Sequence, residues 1–185
     1  WVASLVTGDW GWSFVTKRPV LEMIGERLPN TILLMSVTFF VTLAIAIPVG
    51  IVSAVRQYSW FDHVATTLAF AGNSLPTFWI GLMLVMIFAV GLRWLPAGGM
   101  YTLGAPPSIG DRLRYLILPV VTLSLFDATH YIRYLRAALF DVIRQDYVRV
   151  AYAKGLDEAT VIRRHAFRNA AIPLVTAIAL DLPAL

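Results

Sequence analysis

Two ionisable side chains, Asp127 and His130, stand inside an otherwise apolar run, Tyr115 to about Leu135. Three residues apart on a helix, they share a face. A carboxylate within a bilayer is costly and is functional by default, so a place on a translocation pathway or gate is one reading. The plainer reading is that His130 neutralises Asp127 or hydrogen-bonds to it. His63 and His165 fall on separate segments without ligand spacing, so no metal site is expected. The absence of cysteine excludes disulfides, thiolate metal sites and a cysteine nucleophile. Neither a G-x-x-x-x-G-K-[ST] phosphate loop nor a nucleophile–base pair is present. A second polar interruption, Gly72-Asn73-Ser74-Leu75-Pro76, reads as a locally opened helix whose freed backbone groups are met by side chains. Asn73, Ser74 and Pro76 there either line a pathway or act as polar contacts between helices.

The elements that must hold these residues follow from hydropathy. Only 14% of the residues are charged and 58% are hydrophobic, too few charges to cover a water-facing surface, so the bilayer is the expected solvent. A spanning helix needs roughly 20 apolar residues. Four stretches qualify or begin to: 31–55, 64–92 with its interruption, 113–136, and 169–185, which stops inside an apolar run. Pro29 and Asn30 read as a start signal for the first. Pro48, Pro119 and Pro173 read as kinks. The fold class is therefore all-α and polytopic. The chain opens on Trp1 rather than Met and closes within the run Ile178 to Leu185, so both ends are expected to be cut.

Charge then orients the spans. Eight basic residues (Arg133, Arg136, Arg144, Arg149, Lys154, Arg163, Arg164, Arg168) fall in one stretch of the second half. A net charge of +4 would also suit nucleic acid, but basic residues between apolar spans follow the positive-inside rule. That puts the 139–168 connection and the short 56–63 turn in the cytoplasm. The Gly- and Pro-rich loop from Arg93 to Arg114 (with Pro96, Gly98, Gly99, Gly104, Pro106, Pro107 and Gly110) is then outside, where three Arg against one Asp satisfy the rule only on balance. Residues 1–28 form an extracytoplasmic segment. Its Trp1, Trp10, Trp12 and Phe14 suit an interfacial belt or packing on the spans.

The basic connection is patterned. Before Gly155, Val142, Ile143, Tyr147, Val150 and Ala151 recur at helical spacing with Arg144, Asp146 and Arg149 opposite. Gly155 suits a left-handed helix stop, Asp157 suits an N-cap, and Glu158 suits the positive end of the following dipole. Val161, Ile162, Ala166 and Phe167 give that second helix an apolar side, with Arg163, Arg164 and Arg168 around it. An ordinary charged loop is one reading. The sharper one is a docking element, a short amphipathic helix held between two spans for another protein to push.

The stretch from Asp146-Tyr-Val-Arg-Val-Ala-Tyr-Ala-Lys-Gly-Leu156 to Arg164-His-Ala-Phe-Arg-Asn-Ala170 resembles the cytoplasmic coupling motif of ABC importer permeases. It is similar to the peptide-permease form, D-Y-V-R-x-A-x-A-K-G-L then R-H-A-L-R-N-A. The general Glu-Ala-Ala opening and Ile-x-Leu-Pro close are replaced by Arg149-Val-Ala151 and His165-Ala-Phe-Arg168, which fits the peptide subclass. Gly8-Asp9-Trp10-Gly11-Trp12-Ser13, Glu26-Arg-Leu-Pro-Asn-Thr31, Ser74-Leu-Pro-Thr-Phe-Trp-Ile-Gly81 and Trp94-Leu-Pro-Ala-Gly-Gly99 resemble further motifs of that family in order along the chain.

The resemblance implies a six-span permease, here missing its first and last spans, with residues 29–185 as the permease domain. It implies a second permease subunit, identical or homologous, two cytoplasmic ATPase subunits that bind the ATP, an extracytoplasmic solute-binding protein, and residence in the bacterial inner membrane. No cofactor of its own, no metal and no nucleic acid are expected. The ATPase would be met by Ala151, Lys154, Gly155, Leu156, Asp157, Glu158, Arg164, His165, Phe167 and Arg168. Di- or oligopeptides are the implied cargo, with nickel, glutathione or oligosaccharide as alternatives. An ion-gradient secondary transporter would need inverted repeats and intramembrane ion ligands and would leave the Gly155 loop unexplained. A membrane enzyme finds no catalytic pair to support it.

Overall fold

A computed structural model of the chain describes residues 6–8, 10–104, 106 and 108–181. Trp1, Asp9, Pro107 and the last four residues of the fourth apolar run lie outside the described residues. Six helices carry the fold: α1 Val20–Val55, α2 Trp60–Ser74, α3 Thr77–Leu84, α4 Ile109–Ile143, α5 Asp146–Ala153 and α6 Phe167–Asp181. Wider, π-type turns extend α3 through Val85–Gly91 and precede α6 at Val161–Ala166. No strand occurs among the described residues, as the all-α expectation requires.

The chain divides into two compact units, Trp1–Val37 and Thr38–Leu185. In the first, α1 begins at Val20, not after Pro29 and Asn30, which corrects the expected start. The entry is fixed upstream, where the Val20 amide donates to the Gly11 carbonyl (3.1 Å) and the Ser13 amide to the Arg18 carbonyl (2.9 Å). Arg18 then forks onto Glu22 (2.9 Å) and Glu26 (2.5 Å), and Glu22 in the first turn suits the positive end of the dipole. Pro29 lies inside the helix and forfeits one backbone bond by lacking an N–H, without ending it. Trp10, Trp12, Phe14, Met23, Ile24 and Leu28 line a cavity of about 790 Å³. Phe14 stays outward, in keeping with an interfacial aromatic.

In the second unit, α4 is the central post. It touches α2, α3, α5, α6 and the Val161–Ala166 turn. Leu135 and Leu139 are fully enclosed, in a core with Ala46, Ala54, Ala166 and Leu174. Small residues let helices approach closely where no hydrophobic force drives them together. A Cβ on Gly50 would stand 3.1 Å from Leu135, and one on Gly72 3.1 Å from Thr129. Large apolar side chains point outward along the spans (Phe40, Leu68, Phe78, Ile172, Val175), a surface that hydrocarbon accepts and water would not.

The expected spans are adjusted in length and shape. At about 1.5 Å per residue, the 36 residues of α1 reach about 54 Å, well beyond a hydrocarbon core of about 30 Å. α4 runs over 109–143 rather than 113–136 and passes through Pro119 without ending. The expected second span is two helices bent by 103° at Leu75-Pro76, a broken span or re-entrant loop rather than a straight crossing. Pro76 has no N–H to continue α2, and Leu75 before it is extended (φ −99°, ψ 138°). Against four expected spans, the described residues supply two unbroken helices of sufficient length and this bent pair. The 15 described residues of α6 are too short to cross alone.

Because Leu135 is enclosed, it has no room to yield to a side chain at position 50. Gly50→Leu should destabilise the α1–α4 contact by about 1–3 kcal/mol, read as a lower thermal midpoint of the purified protein in detergent; an unchanged midpoint would show that the contact is loose.

Candidate functional site: the Gly155 loop and the polar face of α4

The basic connection is built as two helices around a tight bend. α4 ends at Ile143, and Arg144–Gln145 breaks the chain before α5. Val142 and Ile143 therefore belong to α4 and not to the pre-Gly155 helix, a correction to the expected pattern. The apolar stripe of α5 is Val148 and Ala151, both buried, and they close with Val161 on Val142. Tyr147 and Val150, expected inward, face out (40% and 50% exposed), because a helix of eight residues seats only its i, i+3 pair on so small a core. Gly155 takes φ +78°, a conformation open to glycine at little cost, and its amide closes on the Tyr152 carbonyl at 2.9 Å.

Asp157 caps the next turn, Glu158–Thr160, accepting the Thr160 amide at 3.0 Å. Hydrogen bonds from Thr160, side chain first and then backbone, hold the Asp157 carboxyl below the ordinary carboxylate range. Helix then continues unbroken through the π turn into α6, so the second helix is the root of the last described span rather than a separate piece. Val161, Ile162 and Ala166 are buried on the expected side, with Phe167 half-buried. Asn169 donates to the Tyr147 hydroxyl at 2.8 Å, tying α6 back to α5.

Of the residues expected to meet a partner, Lys154, Gly155, Leu156, Asp157, Glu158, Arg164 and Arg168 are exposed together around the bend. His165 and Phe167 are half-buried at its root. Ala151 is 4% exposed and packs inside the loop, where it shapes the surface without presenting itself.

The second set is split. Asn73, Ser74 and Pro76 are exposed at the α2–α3 bend. The Ser74 hydroxyl donates to the Phe70 carbonyl (2.8 Å), the kind of side-chain compensation expected where a helix opens. Asp127 and His130 are half-buried on α4. The His130 ring turns edge-on to Phe126 (5.5 Å between centroids), and its Nδ1 lies 3.3 Å from Arg133 NH2. The hydrogen-bond partner of His130 is thus Arg133 and not Asp127. The Arg133 guanidinium also lies over the Phe70 ring, 5.8 Å from its centroid. On the opposite flank, the Tyr131 hydroxyl donates to Asp181 of α6 at 2.9 Å.

The most completely bonded polar group was not singled out by the sequence. Asp62, 2% exposed, accepts the Arg136 fork (Nε–Oδ1 2.7 Å, NH2–Oδ2 2.8 Å). It also accepts the Ser53 hydroxyl, the Tyr58 amide (3.0 Å) and the Thr66 hydroxyl (3.3 Å). Tyr58 is held at φ +57°, a left-handed conformation disfavoured for a bulky residue. The available signal was a lone acid beside an apolar span and an arginine near the end of another, which gives no pairing without the fold.

The cap makes the loop's order pH-dependent. A carboxyl whose folded pKa is depressed stabilises above its unfolded value, and that contribution is lost as pH falls through the folded one. Protection of the 158–166 amides, taken relative to the intrinsic exchange rate at each pH, should therefore be high at neutral pH and fall below the ordinary carboxylate range. Asp157→Ala should exchange fast at both; equal protection in the variant at neutral pH would show that the cap does not hold the loop.

Residues 46–185 match the family of binding-protein-dependent transport system inner membrane components. The chain is 45% identical over 184 residues to the oligopeptide transport system permease protein AppB of Bacillus subtilis (strain 168), covering 99% of this chain and 58% of that protein. It is 40% identical over 176 residues to a putative peptide transport system permease protein of Brucella abortus (strain 2308), covering 95% and 55%. It is 37% identical over 181 residues to the glutathione transport system permease protein GsiC of Escherichia coli O1:K1 / APEC, covering 98% and 56%. The chain thus spans somewhat more than half the length of these relatives. With its apolar helices and its bent, surface-exposed basic loop, the chain belongs to the family of binding-protein-dependent transport system inner membrane components.

Proposed function

We propose that the chain is the greater part of a permease subunit forming half of the pathway of an ATP-driven peptide importer in the bacterial inner membrane. The observation that carries the reading is the Gly155 loop. It projects an exposed, charged bend, Lys154 to Glu158, from a root packed directly on α4, so force applied to the bend reaches a span instead of being absorbed by slack chain. ATP is held and hydrolysed by two partner subunits whose surface the loop enters, a second permease copy or homologue completes the pathway, and an external binding protein delivers cargo.

Di- and oligopeptides are the proposed cargo, supported by the names of the Bacillus and Brucella relatives. Glutathione is the second reading, favoured by the name of the third. Nickel and oligosaccharide remain cargoes for the same machine, with no residue here that selects them. Asn73, Ser74, Asp127 and His130, with Pro76 at the bend between the first two and α3, are the proposed pathway-side residues, because polar side chains within a span face a cavity or a bundle interior rather than lipid.

The test is reconstitution of the full permease pair with its ATPases and binding protein in proteoliposomes. Labelled peptide uptake should be ATP-dependent, and excess unlabelled peptide should compete better than glutathione. Gly155→Val forces a β-branched residue into the left-handed region. It should leave the complex assembled but lower peptide uptake about tenfold or more at a given ATP turnover; normal uptake by an assembled variant would sink the coupling reading.

A further inference from the structure

The ion pair of the buried Asp62 and the half-buried Arg136 lies outside everything the loop and the pathway residues require, yet it joins three helices at one carboxylate. Ser53 belongs to the last turn of α1, Tyr58 to the turn, and Thr66 to α2, and all three donate to Asp62. Arg136 belongs to α4. Six residues further along that helix, Val142 is the surface on which the loop core of Val148, Ala151 and Val161 closes. No break interrupts α4 between them, so the two points are fixed about 9 Å apart on one rod.

Burial of a charge pair is weak grounds for stability, since apolar residues of similar volume often do as well. What the pair supplies is direction. A bidentate guanidinium–carboxylate fork resists sliding and rotation, whereas an apolar contact slips at little cost. The left-handed Tyr58, whose amide is spent on the same carboxylate, ties the turn to that geometry.

We propose that the Asp62–Arg136 pair is the joint that carries movement of the Gly155 loop through α4 into the α1–α2 hairpin, so that both are positioning residues for coupled transport. This rests on the loop's being the ATPase-contacting element. Movement enters at Val148 and Val161, passes along α4 from Val142 to Arg136, and reaches α1 and α2 through the carboxylate.

The experiment uses the complete importer in proteoliposomes and reads ATP hydrolysed per peptide imported, beside the yield and thermal midpoint of the assembled complex. Asp62→Asn keeps the side-chain shape and Arg136→Gln shortens it, and each removes one charge. Each should raise the ratio about five- to tenfold. Combining them should add little, because both act on one joint. Arg136→Lys, with charge but no fork, should fall between, and Ser53→Ala, which removes one donor and leaves both charges, should raise the ratio about twofold. If the charge variants fail to assemble, the lysine and alanine variants decide. A fall in yield or midpoint with an unchanged ratio would reduce the pair to a structural contact and overturn the proposal. Gly155→Val run in parallel separates the two readings. An unchanged ratio there removes the loop reading, and a raised ratio there with silent Asp62 and Arg136 variants removes only the joint.

Discussion

The arrangement of residues 38–185 depends on the close packing of neighbours against one long helix. α4 meets α1 where Gly50 leaves room for Leu135, meets α2 where Gly72 leaves room for Thr129, and meets α3 near Gly81, where an added Cβ would stand 3.4 Å from Thr122. In water such contacts would be driven by the removal of apolar surface. In a bilayer the lipid tails are as apolar as leucine, so the gain comes from van der Waals fit, which needs small residues at the seam. Gly50 and Gly72 therefore set how near α1 and α2 come, and α4 with its enclosed Leu135 and Leu139 sets where.

The second constraint is that hydrocarbon supplies no hydrogen bonds, so the backbone must satisfy itself. Helices meet that demand along their length, and the departures are compensated locally. At the 103° bend, the Ser74 hydroxyl bonds back to the Phe70 carbonyl one turn earlier, and the Pro76 carbonyl starts α3 by accepting from Trp79 and Ile80. At the π turn before α6, the Phe167 amide reaches the Ile162 carbonyl, keeping the chain bonded while three basic residues, Arg163, Arg164 and His165, pass at its surface. Such turns recur at functional positions in helical proteins, and here one lies between the exposed bend and a span.

Charge is distributed by the same economy. Exposed pairs such as Arg149 with Asp146, 3.7 Å apart, contribute little. The Arg136–Asp62 fork is different because its carboxylate is enclosed and every donor around it comes from a different point of the fold. α4 is thus held to the loop by apolar packing at Val142 and to α2 by a directional bond at Arg136.

The sequence by itself determined the class of molecule and the position of its bent basic loop. Those properties are local or compositional: uncharged runs make helices in lipid, Gly155 and Asp157 make a stop and a cap wherever they stand in such a pattern, and basic residues collect on one side. What needed the tertiary structure were the start of α1, the bend of the second span, the inward face of α5 and every long-range polar pairing. Pro29 looked like a boundary because the Gly11, Arg18 and Glu22 contacts that pull the start back to Val20 depend on a turn only the folded segment makes. Val150 and Val148 are both valines two residues apart in one short helix, and only the position of Val142 decides which is buried. Asp62 and Arg136 are 74 residues apart, and no spacing rule links them. Their pairing follows from where α2 lies along α4, a choice made by glycines, volumes and shape.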